Sequence, residues 1–158
     1  MITHTTILIC ISILATLLTG WIDSLNEARE IWMKNNLPMY VADAFKQKYK
    51  RHSLWSVHRI VIFFTTSIPI WYINPSWWSL GIAAINFIAQ MALFRFWHDS
   101  MLQVAMGRSF TSDSDKLSDS KIDSKIDDTW ENRCRFLAGF IMIEILIFIF
   151  IQYVQPNL

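Results

Sequence analysis

Glu144 stands alone among apolar residues in the run FLAGFIMIEILIFIFIQY, residues 136–153. A carboxylate in such surroundings is expensive in hydrocarbon unless it is paired, wetted or protonated. If the run is a membrane-crossing helix starting at Phe136, a rise of about 1.5 Å per residue puts Glu144 about 12 Å deep, near mid-bilayer. Asn86, Gln90, Thr65, Thr66, Ser67, Ser12 and Thr16 fall at similar depth in other apolar runs. Two chemistries follow. Glu144 can handle a proton or ion, or it can sit protonated and bonded to Asn86 or Gln90, fastening two helices for about 0.6–2 kcal/mol. One acidic residue with no second charge at its depth favours the fastener.

A second constellation joins Val57-His58-Arg59 to Arg95-Phe96-Trp97-His98-Asp99. Antiparallel neighbours with a short turn bring these two stretches to one level. His58, Arg59, Arg95, His98 and Asp99 then converge, with His52 and Arg108 close by. Imidazole beside carboxylate suits metal binding or acid–base work, and arginines suit a lipid phosphate. The spacing argues for less. There is no HExxH, no histidine pair at i,i+4, no GxSxG and no phosphate-cradling glycine loop. Ion pairing at headgroup level accounts for the same residues. No catalytic residue, metal or cofactor is assigned. Cys10 and Cys134 fall at different depths, so a disulfide between them is not expected.

These residues need elements to hold them, and composition says which. Hydrophobic residues are 53% of the chain and charged residues 17%, against about 45–50% (glycine included) and about 25% in soluble domains. Such a chain is neither disordered nor a disulfide scaffold. A net charge of +1 gives no global attraction to nucleic acid. Four runs approach the roughly 17–25 residues that cross a bilayer, at about 2–21, 57–73, 78–97 and 136–153. The expected fold is all-α: one membrane domain over residues 1–158, with four transmembrane helices and an interfacial amphipathic pair. The first run has no preceding Lys or Arg and no convincing Ala-x-Ala site, so it reads as retained rather than as a signal peptide.

Residues 22–56 supply the pair. Ser24-Leu25-Asn26-Glu27 fits a capping box, and Leu25, Ala28, Ile31 and Trp32 follow at helical spacing, either as a separate helix or as a continuation of the first span. Leu37-Pro38 ends it. Val41, Ala42, Phe45 and Tyr49 then share a side, with Lys46, Lys48, Lys50 and Arg51 suited to anionic headgroups. Residues 109–128, rich in Ser, Asp and Lys, read as a flexible spacer. Asp127, Asp128 and Glu131 suit an acidic first turn for the last helix. Ala83, Ala84, Ala89 and Ala92 with Gly81, Ala138 and Gly139 suit close approach of the third and fourth spans.

Cation placement orients the chain. Seven of the 14 Lys and Arg residues lie from Arg29 to Arg59, and the other seven from Arg95 to Arg135. By the positive-inside rule both large loops are cytoplasmic and both termini face outward. Trp71, Tyr72, Trp77, Trp78 and Tyr153 gather at the outer ends, and Trp21, Trp55 and Trp97 at the inner ends, as amphipathic rings do at headgroups.

Phe96-Trp97-His98-Asp99-Ser100-Met101 and residues 127–139 (DDTWENRCRFLAG) resemble uncharacterised small multi-span membrane proteins of phage and prophage type. In that pattern a Phe-His-Asp-Gly-Met-like stretch ends one span and an Arg-containing segment opens the last. Here Ser100 replaces the glycine, and the tyrosines that follow Met101 in the pattern are missing. The resemblance covers the middle and final third and implies a bacterial or viral setting but no activity. The residues themselves suggest a non-enzymatic structural or accessory subunit of a membrane assembly, partnered by lipid, other subunits or copies of itself. The alternatives are a channel, transporter or holin-like pore using Glu144, and an interfacial enzyme on lipid headgroups using His58, His98 and Asp99.

Overall fold

The computed structural model describes residues 4–36, 51–73, 75–113 and 129–154, and among these every regular element is helical. Helix α1 spans His4–Asn36, α2 Arg51–Ile73, α3 Trp77–Ala105 and α4 Trp130–Ile149, which runs on as a π-helical turn, Phe150–Val154. Three helices are long and apolar enough to cross a membrane: His4–Met33, Trp77–Ala105 and Trp130–Tyr153. The fourth expected span, Val57–Ile73, is a shorter apolar stretch. Residues 41–49, expected as the second amphipathic helix, and 114–128, most of the expected spacer, lie outside the described residues.

The capping box expected at Ser24 does not form, because no helix starts there. Ser24 lies inside α1, and its hydroxyl donates to the Trp21 carbonyl at 2.7 Å, the back-bond of a serine within a helix. With no proline before Pro38, nothing breaks the backbone. The first span and the first amphipathic stretch are therefore one helix of 33 residues, about 50 Å long. Helix α3 starts where the sequence predicts and ends later. Ser76 caps it by accepting from the Ser79 amide at 3.1 Å, while Ser79 returns the favour to the Ser76 amide at 3.0 Å. It ends before Gly107, whose φ of 76° closes the chain past the last turn. Thr129 caps α4, with Glu131 in the first turn, where a carboxylate suits the helix dipole.

Helix α3 is the centre of the bundle and touches α1, α2 and α4. Side-chain pairs define the register. Ser12 meets Asn86 and Thr16 meets Gln90, a constant offset of 74, so α1 and α3 run parallel. Helix α2 runs against α3, Ser67 meeting Asn86 and Phe63 meeting Phe94. Helix α4 does too, Phe150 packing on Trp78 and Trp130 on Phe96. One end of the bundle holds the turn between α2 and α3, and the other holds its charges. Ile9, Ile70, Ile82, Ala83, Ile147 and Ile151 pack near the turn end. Ala89, Leu93 and Phe140 pack below them.

The small residues divide differently from expectation. Ala83 and Ala89 are buried in these clusters. A Cβ at Gly81 or Gly139, however, would meet nothing within 4 Å. The glycine required by packing is Gly20, where a Cβ would come within 3.0 Å of Trp97 Cδ1 and 3.5 Å of the His98 amide nitrogen. Close approach is thus between α1 and α3.

Candidate functional site

Two polar layers lie inside the bundle. The first is at mid-height, where α1, α2 and α3 meet, and its centre is an amide pair one helical turn apart, Asn86 and Gln90. Both are fully buried. Asn86 Oδ1 accepts from the Ser12 hydroxyl at 3.2 Å, and Nδ2 donates to Ser67 Oγ at 2.9 Å. Gln90 Oε1 accepts from Thr16 and from Thr66, each at 3.0 Å. Its Nε2 donates to Ser67 Oγ at 2.7 Å and to the Phe63 carbonyl at 3.4 Å. Gln90 therefore uses both lone pairs and both amide hydrogens, the full capacity of that side chain. The hydroxyls have fallback acceptors within their own helices, Ser12 on Ile9, Thr16 on Ser12 and Thr66 on Ile62. No ionisable group belongs to this layer. It is a three-helix fastener.

Glu144 is not part of it. Phe150 against Trp78 and Phe140 beside Ala89 and Leu93 place Glu144 at about the height of Asn86. Its neighbour Ile143 and Ile13 of α1 both pack against the cluster around Ala89. The bonds expected from it to Asn86 or Gln90 do not form, because those amides are spent on α1 and α2. Glu144 is half-buried, and its Oε1 is shielded from solvent without a hydrogen-bond partner.

The second layer lies at the charged end. Arg59 Nε donates to Asp23 Oδ2 at 2.6 Å, and its guanidinium lies 4.5 Å from the centre of the Phe94 ring. Arg95 pairs with Asp99 at 2.6 Å along one face of α3. His98 sits between two carboxylates, with Nδ1 2.8 Å from Asp99 Oδ1 and Nε2 3.3 Å from Glu27 Oε2. The Glu27 contact is an ion-pair distance off the hydrogen-bonding line. The His98 ring also stacks on Phe94 at 5.1 Å. With His98 protonated, these described contacts set three carboxylates against two guanidiniums and one imidazolium. Both ring nitrogens then face carboxylates, leaving no lone pair for a metal or a reacting proton. Among the described residues, no three His, Cys, Asp or Glu side chains are grouped to hold a metal ion.

Arg59, Arg95, His98 and Asp99 are thus brought together, as the sequence reading expects. His58 is exposed on α2 and stands apart. The residues missed are Asp23 and Glu27, the carboxylates that α1 contributes. Their signal is periodic: Ser12, Thr16, Thr19, Asp23 and Glu27 recur every three or four residues, a polar stripe on an otherwise apolar helix. Arg133 was also missed. It is 1% exposed, donates to Ser100 Oγ at 3.2 Å and the Phe110 carbonyl at 3.3 Å, and bonds the Ser112 carbonyl. With Phe96, Phe110 and Trp130 around it, Arg133 closes the loop after α3 onto the start of α4.

No protein-family model, curated protein or solved structure matches this chain.

Proposed function

We propose that the protein is a non-enzymatic, multi-pass integral membrane protein that serves as a structural or accessory subunit of a membrane assembly. In this reading all four helices span the bilayer, α2 included, because α2 lies antiparallel between two long apolar helices and covers the same height. The termini face outward, and the cation-rich loops face anionic headgroups in the cytoplasm. One observation carries the reading: buried polar side chains tie the helices to one another, Asn86 and Gln90 to α1 and α2, Arg59 to Asp23 and His98 to Glu27. That is how a bundle in lipid is fastened and oriented. The outward side chains, among them Ile141, Met142, Ile145 and Leu146, are apolar and suit hydrocarbon or a neighbouring helix.

The test is purification of the tagged full chain from its own membranes in mild detergent after cross-linking. A fixed set of membrane subunits, or a defined oligomer of the chain, is expected. A monomer accompanied only by lipid refutes the subunit role.

A second reading is favoured by Glu144, whose shielded oxygen lacks a partner. It makes the chain a proton or ion pathway. Liposomes holding the protein would then show proton flux that disappears in Glu144→Gln. Equal, background flux in both removes this reading.

A further inference from the structure

The apolar outer surface of the bundle does not end at one height. Towards the charged end, Phe96 of α3 is level with Trp130 of α4, which packs on it. Counting on from Thr16 beside Gln90 puts Ile22 of α1 there, and counting from Phe63 beside Phe94 puts Val61 of α2 there. By this height α4 is already ionic outside. Its Arg135 and Glu131, largely exposed, form a 2.6 Å pair that hydrocarbon would not tolerate. On α1 and α2 the outside is still apolar, with Trp21, Ile22, Leu25, Ile60 and Val61 all about half exposed. Exposed polar side chains come about one turn further on, at Asn26 and His58, and the exposed Trp32 ring lies beyond them. Val104, also exposed, is two turns past Trp97, on the face of α3 that meets Gly20 of α1.

The turn end shows the reverse. Ser12 and Ser67, both on Asn86, bring Ile7 of α1 and Tyr72 of α2 level with Gly81. Phe150 on Trp78 brings Ile147 of α4 to the same height. Here α2 has reached its rim at Tyr72, 77% exposed, and the exposed His4 of α1 is one turn away. Helix α4 stays apolar outside through Phe148 and Ile149 until Gln152 and Tyr153. Tyrosine rings settle in the headgroup zone. At about 1.5 Å per residue, the rim on α2 is displaced towards the charged end by about 9 Å at Tyr72 against Tyr153. At His58 against Arg135 the displacement is about 12 Å. Both ends shift the same way. Helices α2 and α4 each pack on α3 and hardly on each other, so their axes are nearly two packing distances apart, up to about 18 Å. A displacement of about 10 Å across that width corresponds to a lean of about 30°, within the range of membrane helices.

We infer that the bundle lies obliquely in the bilayer, its α1 and α2 side sunk towards the charged end and α4 raised towards the turn end, so that acyl chains cover Ile22, Leu25, Ile60 and Val61. The inference rests on the helices being membrane spans, as proposed above. The lean places the Asp23–Arg59 pair and His98 with its carboxylates beneath hydrocarbon on that side. Charges at such a depth are tolerated when turned inward and paired, which is how these four side chains and Glu27 are arranged.

The experiment uses the purified full chain, with Cys10→Ala and Cys134→Ala, in vesicles of phosphatidylcholine and phosphatidylglycerol. Single spin labels are placed through Ile22→Cys, Val61→Cys or Glu131→Cys near the height of Phe96, and through Tyr72→Cys or Leu146→Cys near the height of Gly81. All five positions are exposed, so each label sits outside the bundle. Collision with oxygen, which favours hydrocarbon, against a nickel chelate, which favours water, reports depth. The labels at 22 and 61 are expected to lie deeper than that at 131, and the label at 146 deeper than that at 72, each by about 9 Å. Depths that follow bundle height alone, with 22, 61 and 131 alike and 72 and 146 alike, overturn the lean and leave the membrane reading intact. Nickel reaching all five labels equally overturns both.

Discussion

Replacing Gln90 by leucine removes four hydrogen bonds that join α3 to two other helices, to Thr16, Thr66, Ser67 and the Phe63 carbonyl. An interhelical hydrogen bond in a membrane protein contributes about 0.6 kcal/mol on average, so four contribute about 2–3 kcal/mol. The lower part of that range is expected. Thr16 and Thr66 can return their hydroxyl hydrogens to carbonyls of their own helices at 2.9 Å. Ser67 and Phe63 bear the larger loss. The comparison is Gln103→Leu, the same substitution on the same helix. Gln103 is also fully buried, but neither side-chain amide atom has a hydrogen-bond partner. Removing an unsatisfied amide stabilises, here by about 1 kcal/mol. Equilibrium unfolding in mixed micelles of dodecyl sulfate and a mild detergent, followed by helicity, measures both. A double-mutant cycle of Thr16→Val with Gln90→Leu should return a coupling of about 0.6 kcal/mol. If Gln103→Leu destabilises as much as Gln90→Leu, or if Thr16 and Gln90 show no coupling, the partner assignment and the register of α1 on α3 are wrong.

Gly20→Val should lower stability in the same assay by about 1–3 kcal/mol, because its side chain meets Trp97 and the backbone of His98. Gly139→Ala, facing open space, should be near neutral. Asp23→Asn alone leaves Arg59 without its carboxylate and should cost more than the double change Asp23→Asn with Arg59→Gln; equal costs would mean that the pair does not couple. Membrane-impermeant labelling of single cysteines at positions 46 and 121 should modify both from the cytoplasmic side, and labelling from opposite sides would contradict the proposed orientation.

Much of the architecture was legible from where the apolar residues fall. A backbone with no water to bond to must satisfy itself, and a run of some twenty apolar residues does so as a helix. The all-α class, the long first, third and last helices, and the turn at Pro75 follow from run length and helix breakers. So does the meeting of Arg59 with Arg95, His98 and Asp99, since a short turn between antiparallel helices sets their ends level. The continuation of α1 past Ser24 was open because a Ser-x-x-Glu pattern caps a helix only if the chain bends before it. Local sequence did not say whether it bends.

What the tertiary structure alone decided is the rotation of each helix about its own axis and its choice of neighbour. An apolar run looks alike from every side, so Asn86 and Gln90 could face Glu144 or the hydroxyls of α1 and α2 on equal terms. Packing chose the hydroxyls. Gly20 admits α1 against Trp97 and His98 on α3, and that contact carries Ser12, Thr16, Asp23 and Glu27 to their partners. Glu144, at the same height on α4, is left outside the network. Depth is a property of position along one helix and can be counted in residues; partnership depends on two helices at once and had to await their contact.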